Sequence, residues 1–236
     1  MVLLRHRREL VSVWDMNPQL LLAVVVLNLF ALGSAFGKTT TAKPKAAKKI
    51  VTFSSACVTV DEHHADRWPA KTDPATPPTS SKITAITPAE IFGWPGVGIK
   101  AGLTRKSGRI SSEQRWFALT GRVQDLRIEG DGDIHVALVD ASDRKAGIVG
   151  VEIPPGRGWC AIRKHVFSWT TSAFPMKYPS KSQLTLAKNP VITVTGKAFY
   201  DIDHADNARS NQRPKPFVAN YAVWELHPVM RLTVNK

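Results

Sequence analysis

Residues 115–140 read RWFALTGRVQDLRIEGDGDIHVALVD and hold the most regular hydrophobic pattern in the chain. Before the turn at 130–133, apolar side chains occupy alternate positions over 117–123, as they do on one side of a β-strand. After the turn the alternation continues over 134–138, which leaves His135 on the opposite, open side. The turn sequence Gly-Asp-Gly-Asp supplies the positive φ angles that a tight hairpin requires. This stretch therefore predicts a long β-hairpin.

Four further segments follow the hairpin. Apolar patterns predict a third strand at 147–153, a helix at 161–171, a fourth strand at 191–200 and a fifth strand at 221–235. Pro228 predicts a bend or a sheet edge within the fifth strand. Three strands, one helix and two strands is the order of an OB fold, a five-stranded Greek-key barrel with a helix between strands 3 and 4. The sequence therefore predicts a mainly β protein built on an OB-like barrel.

Three segments are predicted to precede the barrel. A positive stretch, an apolar run and small residues follow the order of a secretory signal peptide, which we assign to 1–35. A linker rich in Lys, Ala and Pro covers 36–49, and an irregular arm at 50–112 is expected to wrap the barrel at 113–236. We therefore predict an exported protein, periplasmic or secreted. An uncleaved N-terminal membrane anchor is the alternative, although the apolar run is short for a membrane span.

The chain is basic, with 32 Lys and Arg residues against 19 acidic ones and a formal net charge of +13. Much of the excess lies in the linker and the segment before it, so the remainder is mildly basic. A mild excess favours contact with an anionic component of the cell envelope or with a protein partner. Nucleic-acid binding is not favoured, because the open faces of strands 2 and 3 lack aromatic residues on which bases could stack. Membrane contact is expected only through an uncleaved signal segment.

The two cysteines are Cys57 and Cys160. Exported proteins fold in an oxidising compartment, where an even pair of cysteines usually forms a disulfide. We expect a Cys57–Cys160 bridge that attaches the arm to the connection between the third strand and the helix. The alternative is a pair of buried thiols.

A candidate ligand or metal face is predicted where the fifth strand meets the hairpin. If the first barrel strand lies between the second and the fifth, their polar side chains share one outer face, and the connection after strand 4 closes over it. The residues of this face are His135, Asp201, His204, Arg122, Glu225 and His227. Such histidines and carboxylates can bind a divalent metal or perform acid–base chemistry. The alternative is a salt-bridged face in which Arg122 pairs with Glu225, and apart from this metal no cofactor is predicted.

Three segments resemble those of a group of exported, uncharacterised bacterial proteins. They are Arg67-Trp68…Lys71-Thr72-Asp73, Asp131-Gly132-Asp133-Ile134-His135 and Trp224-Glu225-Leu226-His227-Pro228-Val229. The group combines an RW…KTD arm, a DGDxH hairpin and a WE-[IL]-HPV ending, and the likeness covers roughly residues 50–236. The resemblance implies a protein of the bacterial envelope or a secreted protein, and it brings no activity with it.

These observations lead to three hypotheses about function. The preferred one is an exported bacterial binding or interaction module, with an unknown ligand, that is not an enzyme. The first alternative is a metal-dependent hydrolase that uses the His, Asp and Glu face. The second alternative is single-stranded nucleic-acid binding, which predicts an affinity that falls steeply with salt. The sequence contains no serine nucleophile elbow, P-loop or dinucleotide fingerprint.

Overall fold

The computed structural model describes residues 47–48, 50–55, 57–59, 66–97, 102–171, 177–206 and 210–235. The predicted signal peptide, most of the linker and the alternative membrane anchor lie outside these residues. Within the described ranges, no helix is long enough and apolar enough to span a membrane.

Strands dominate the described part of the chain, and the helices are short. The strands are β1 (Ile50–Ser55), β2 (Val58–Thr59), β3 (Ile83–Ile86), β4 (Trp116–Ile128), β5 (Ile134–Val139), β6 (Ile148–Ile153), β7 (Lys177–Pro179), β8 (Val191–Tyr200) and β9 (Trp224–Val234). The α-helices are α1 (Trp68–Lys71), α2 (Pro88–Phe92) and α3 (Cys160–Phe167).

Five of these strands close into a barrel. β4 pairs with β5, β5 with β6, β6 with β9, β9 with β8, and β8 pairs back with β4. The β6–β9 pair is parallel, the other four pairs are antiparallel, and α3 lies between the third and fourth barrel strands in the chain. The structure therefore confirms the predicted mainly β fold, an OB-like barrel with a helix between strands 3 and 4.

The neighbours of the first barrel strand differ from the prediction. β4 lies between β5 and β8, and β9 lies between β6 and β8, so the expected contact between the first and fifth barrel strands is wrong. The Greek-key order explains the difference, because the fifth barrel strand lies between the third and the fourth, and the fourth closes the barrel against the first. Residues 116–122 of β4 pair with β8 and residues 122–128 pair with β5, so this one strand closes the barrel.

The apolar residues that alternate along the hairpin form the barrel core. Phe117, Leu119 and Val136, for example, are at most 2% exposed. The side of β5 that we expected to be open is buried as well, because every residue of β5, including His135, is at most 2% exposed. The expectation of an open face is therefore wrong. The physical reason is that the arm and the connection between β8 and β9 cover this side of the strand.

Arg67 attaches the arm to the barrel. Its guanidinium group donates to both carboxylate oxygens of Glu113, at 2.9 and 2.6 Å, and to the carbonyl oxygen of Tyr200 at 2.9 Å. Further along the arm, β3 lies parallel to the first residues of β4. α2 begins with a capping box made by Thr87 and Glu90. The arm is therefore held by buried charged contacts as well as by backbone pairing.

A disulfide joins Cys57 and Cys160, as predicted, with their Cα atoms 4.6 Å apart. Cys160 is the first residue of α3, so the bridge ties the segment around β1 and β2 to the helix. A disulfide fits a protein that folds in an oxidising compartment.

Candidate functional site

A cavity of about 370 Å³ opens on the outer side of the barrel, over β5 and β6. The β4–β5 connection contributes Asp131 to its lining, and the β8–β9 connection contributes Asp201 and Phe217. His135 of β5 and Glu152 of β6 line it from beneath. OB folds bind ligands on the face of their second and third strands, between these same two connections. The cavity therefore occupies the place where this fold usually carries a ligand.

A chain of five polar side chains runs beneath the cavity. His227 lies between two carboxylates, with Nε2 3.2 Å from Oδ2 of Asp133 and Nδ1 3.0 Å from Oε2 of Glu152. The other oxygen of Glu152, Oε1, is 2.8 Å from Nδ1 of His135. The Nε2 atom of His135 is hydrogen-bonded to the hydroxyl group of Tyr221. All five residues are at most 5% exposed, so the chain is shielded from bulk water.

Strand geometry brings these side chains together. His135 lies directly opposite Glu152 in the antiparallel pair of β5 and β6, so the two side chains share one face. Glu225 and His227 are two residues apart on β9 and therefore also share a face. Gly150 leaves the necessary room, because a Cβ atom there would lie 2.7 Å from Cε1 of His135 and 2.9 Å from Oε1 of Glu225. We name His135, Glu152, Glu225 and His227, together with Asp133 and Tyr221, the buried polar cluster.

Lys71 and Arg213 bring positive charge to the buried polar cluster. The Nζ atom of Lys71 is 3.1 Å from Oδ2 of Asp131 and 3.9 Å from Oε2 of Glu152. Arg213 forms an ion pair with Glu225, which is 1% exposed. Lys71 comes from the arm and Arg213 from the β8–β9 connection. These two segments cover the barrel, and they also neutralise negative charge beneath the cavity.

Asp201 and His204 lie at the rim of the cavity. The carboxylate of Asp201 accepts a hydrogen bond from Nδ1 of His204, and Nη2 of Arg213 lies 3.8 Å from the same carboxylate. The ring of His204 meets the edge of Phe217, with the ring centroids 4.6 Å apart. The rim thus combines a carboxylate with an aromatic surface that is 38% exposed at Phe217.

The protonation of Asp133 and His227 is displaced from the usual range. Burial, reinforced by the neighbouring Asp131 carboxylate, raises the pKa of Asp133 to about 6, although His227 opposes this shift. Burial alone would lower the pKa of His227, but the carboxylates of Glu152 and Asp133 outweigh it and raise that pKa. Both groups therefore retain protons at a pH where exposed counterparts release them.

Glu152 and Glu225 are pushed in opposite directions. Burial works against ionisation of Glu152, but Lys71 and the two neighbouring histidines hold its pKa well below its usual value. Burial and the carboxylates of Glu152 and Asp201 raise the pKa of Glu225 well above its usual value, against the effect of Arg213. Two buried carboxylates with opposite shifts are characteristic of sites that bind ions or transfer protons, although structural ion-pair networks also produce them.

Of the six residues predicted for the candidate face, five lie in or around this site. His135, Glu225 and His227 meet in the buried polar cluster, and Asp201 and His204 lie at the cavity rim. They are covered rather than displayed on an outer face.

Arg122 does not join the other five. Its guanidinium group reaches the carbonyl oxygen of Asn189, and the residue of β4 that lies opposite His135 is Arg127. The predicted pair of Arg122 with Glu225 is therefore wrong. The cause is the register of the hairpin, because Arg122 lies opposite Val139, at the far end of β5 from His135.

Several residues of the site were not singled out from the sequence as ligand candidates. They are Lys71, Asp131, Asp133, Glu152, Arg213 and Tyr221. Glu152 could have been found, because it stands between two apolar residues of the third strand, on the parity that faces away from the core. The three segments that carry the bacterial resemblance also converge here, through Lys71, Asp133 and His227.

Two groups of side chains have the composition of a metal site. Among the described residues, Asp133, Glu152 and His227 form one group, and His135, Glu152 and Glu225 form the other. In each group, one donor atom from every residue lies within 4.8 Å of the others. Imidazole nitrogen combined with carboxylate oxygen suits zinc and manganese.

No protein-family model and no curated protein sequence matches the chain. Among solved structures, the chain is similar to Entamoeba histolytica asparaginyl-tRNA synthetase in complex with asparaginyl-adenylate, with 17% sequence identity and a TM-score of 0.32. The similarity covers 64% of this chain and 23% of the synthetase chain. We draw no functional conclusion from a likeness at this level.

Proposed function

We propose that this protein is an exported bacterial binding module, and that the cavity over β5 and β6 takes the positively charged part of a ligand. Export is supported by the signal-like N-terminal sequence, the disulfide and the resemblance to exported bacterial proteins. The observation that carries the binding proposal is an acidic cavity on the ligand face of an OB-like barrel, in a chain that is basic as a whole.

The lining of the cavity has an excess of negative charge. Among the described residues, six carboxylates line it against three Lys or Arg side chains and two histidines. Asp131 and Asp201 come from the two connections that contribute to the cavity lining. Phe217 adds an aromatic surface to the rim, and aromatic rings favour ammonium and guanidinium groups. Phosphate-rich ligands such as nucleic acids would be repelled by the same carboxylates.

Calorimetry with matched amines tests the proposal. Spermidine and a lysine-containing dipeptide should bind, whereas their N-acetylated forms should bind at least tenfold more weakly, because acetylation removes the charge. Asp131→Asn and Asp201→Asn should weaken amine binding, and Asp143→Asn, at an exposed position outside the cavity lining, should not. Equal affinity for the charged and acetylated forms would contradict a cation-binding cavity.

A metal-dependent hydrolase is the second candidate, because both groups of possible metal donors share Glu152, which lines the cavity beside His135. An imidazole next to a metal-bound water is a common arrangement for acid–base catalysis. The test is hydrolysis of p-nitrophenyl acetate and bis(p-nitrophenyl) phosphate with added zinc, with added manganese, or with chelator. Turnover should require the metal and should fall at least 100-fold in His135→Gln. Absence of turnover with every metal removes this candidate and leaves the binding module untouched.

A further inference from the structure

Five buried polar atoms beneath the cavity lack a hydrogen bond of normal geometry to any described residue. They are both carboxylate oxygens of Asp133, Oε2 of Glu152, and both ring nitrogens of His227. The side chains of Asp133 and His227 have no exposed surface, and that of Glu152 is 7% exposed. Buried polar atoms in folded proteins are nearly always satisfied, so a cluster of five such atoms indicates a missing partner.

The three side chains lie close enough to share one ion. Nε2 of His227 is 3.2 Å from Oδ2 of Asp133, and Nδ1 is 3.0 Å from Oε2 of Glu152, in contacts that are not aligned as hydrogen bonds. The two ring nitrogens point in opposite directions, so an ion takes one of them and the carboxylate at the other nitrogen must move toward it. Ligand atoms bound about 2.1 Å from a tetrahedral ion lie roughly 3.4 Å apart, with no need for a proton between them. One donor atom of each of the three residues lies within 4.8 Å of the other two.

The charges around this group also leave room for a dication. The carboxylates are Asp131, Asp133, Glu152, Asp201 and Glu225, and the cations are Lys71, Arg163 and Arg213. Among the described residues, five carboxylates therefore lie around three Lys or Arg side chains. Ionised carboxylates are costly to bury unless they are compensated, and a divalent cation bound here would compensate Asp133 and Glu152.

The backbone around the three residues is well supported. Glu152 keeps its second oxygen on His135, which fixes the direction of its free oxygen, as outer partners do for carboxylates that bind metals. Arg163 donates to the carbonyl oxygens of Gly132 and Ile153, next to Asp133 and Glu152 in the chain. The donors are thus held by paired strands and a buried arginine rather than by an exposed loop.

We propose that Asp133, Glu152 and His227 bind a divalent metal ion, zinc or manganese, which enters from the cavity past Glu152. This deepens the proposed function and rests on it, since the cation at the deepest point of the cavity is then the metal. The ammonium group of Lys71 competes with the metal for Glu152, because it lies 3.9 Å from Oε2 of that residue.

The first test is metal binding by the purified full chain after treatment with a chelator. Titration with zinc or manganese should give one equivalent per chain and raise the melting temperature. Cobalt(II) should develop visible absorption bands of a nitrogen- and oxygen-ligated ion. Lys71→Met should bind the metal more tightly, because the competing ammonium is gone. Absence of binding by all three metals overturns the proposal and leaves a protonated His227 between two carboxylates.

Variants then identify the donors. Glu152→Gln and His227→Gln should weaken the metal at least 100-fold, and His135→Gln should weaken it by 10- to 100-fold through the orientation of Glu152. The matched control is His165→Gln, at an exposed position on α3, which should bind like the parent. If a histidine variant does not fold, the cobalt spectrum of Glu152→Gln decides alone.

Further outcomes separate this metal site from the other donor group and from a cavity that binds only organic cations. Metal binding that survives Asp133→Asn and is lost in Glu225→Gln would assign the ion to the other donor group and overturn the proposal. Amine binding without metal binding would reject the metal and keep the cation-binding cavity. Failure of both ligands would reject both.

Discussion

Glu113 is a charged side chain with no exposed surface. Both of its oxygens accept hydrogen bonds from Arg67, and they also accept from the backbone N–H groups of Tyr200 and Ile110, at 2.8 and 2.9 Å. A buried carboxylate with this many donors is compensated, whereas a buried arginine left alone would not be. This pair is therefore one of the contacts that hold the arm on the barrel, beside the pairing of β3 with β4.

Replacement of Glu113 by Ala should lower the free energy of unfolding by about 3–5 kcal/mol, because it leaves the buried Arg67 without its carboxylate partner. Urea unfolding followed by tryptophan fluorescence measures the change. Arg105→Ala is the matched control. Its side chain is 68% exposed and pairs with Asp66 and Asp203, so its loss should cost about 1 kcal/mol or less. Similar losses in the two variants would contradict the anchoring role of Glu113.

Gly150 is a second position where one added side-chain atom should change the free energy of unfolding. Gly150→Ala should destabilise the domain by about 1–3 kcal/mol, because the new methyl group must displace His135 and Glu225, which are held by Glu152, Tyr221 and Arg213.

The comparison for Gly150 is Gly158→Ala, where an added Cβ would meet no atom within 4 Å. That variant should be unchanged or more stable by up to about 1 kcal/mol. Chemical denaturation of both proteins measures the difference. An unaltered Gly150→Ala protein would mean that the buried polar cluster tolerates an extra atom.

Among the elements, the strands were predictable and their outer faces were not. The apolar alternation of β4 and β5 depends only on residues near in sequence, so both strands could be predicted from it. The burial of His135 depends on Lys71 and Arg213, which lie far away in the chain and bring the covering segments. Local patterns contain no information about such covers.

The error at Arg122 comes from the register of the hairpin. Counting back from the turn at 130–133 would have placed Arg127 opposite His135 and Arg122 near the far end of β5. The sequence also shows the bulge, because the buried positions of β4 are odd-numbered as far as Val123 and even-numbered from Leu126 onward. Glu152, between Val151 and Ile153, could have been found by the same count on β6.

The disulfide joins the segment around β1 to the start of α3. Its cysteines are 103 residues apart, and closing a loop of that length restricts the unfolded chain. The Cys57→Ser, Cys160→Ser double variant should therefore lose about 4 kcal/mol of unfolding free energy.

Urea unfolding of the oxidised protein, the reduced protein and the double variant provides the measurement. The reduced protein and the double variant should behave alike, and both should unfold at lower urea than the oxidised protein. Equal midpoints for all three would contradict a stabilising bridge.

For the whole molecule, stability should depend on pH through the buried polar cluster. The folded pKa of Asp133 is about 6, so the folded state keeps a proton that an unfolded chain releases near pH 4. Stability from this group is therefore lost as the pH rises from about 4 through 6. The raised pKa of His227 gives stability that is complete below about pH 6.5 and is lost as the pH rises further.

The metal-free protein should thus be more stable at pH 5 than at pH 8. Urea unfolding at pH 5, 6, 7 and 8 with chelator present tests this. Asp133→Asn removes the first of the two groups, so its profile should be flatter between pH 5 and 6. A parent profile that rises from pH 5 to pH 8 would contradict the raised pKa values.

At the same scale, the OB-like barrel was predictable because five strands and one helix each carry a clear local pattern. The cavity was only half predictable. Its rim residues Asp201 and His204 stand in a long and unusual polar connection, which made them candidates, whereas Asp133 stands in an ordinary turn sequence. The function of that turn residue is set by its contact with His227, nearly a hundred residues later in the chain.

The parallel contact between β6 and β9 has a consequence for how the chain matures. β9 is the fifth barrel strand in chain order, and it carries Glu225 and His227 into place beside β6. A chain that emerges N-terminus first would therefore fold its hairpin early and acquire a complete pocket only after β9 has arrived. Ligand competence would then report that the whole barrel has emerged, and incomplete chains would stay inert.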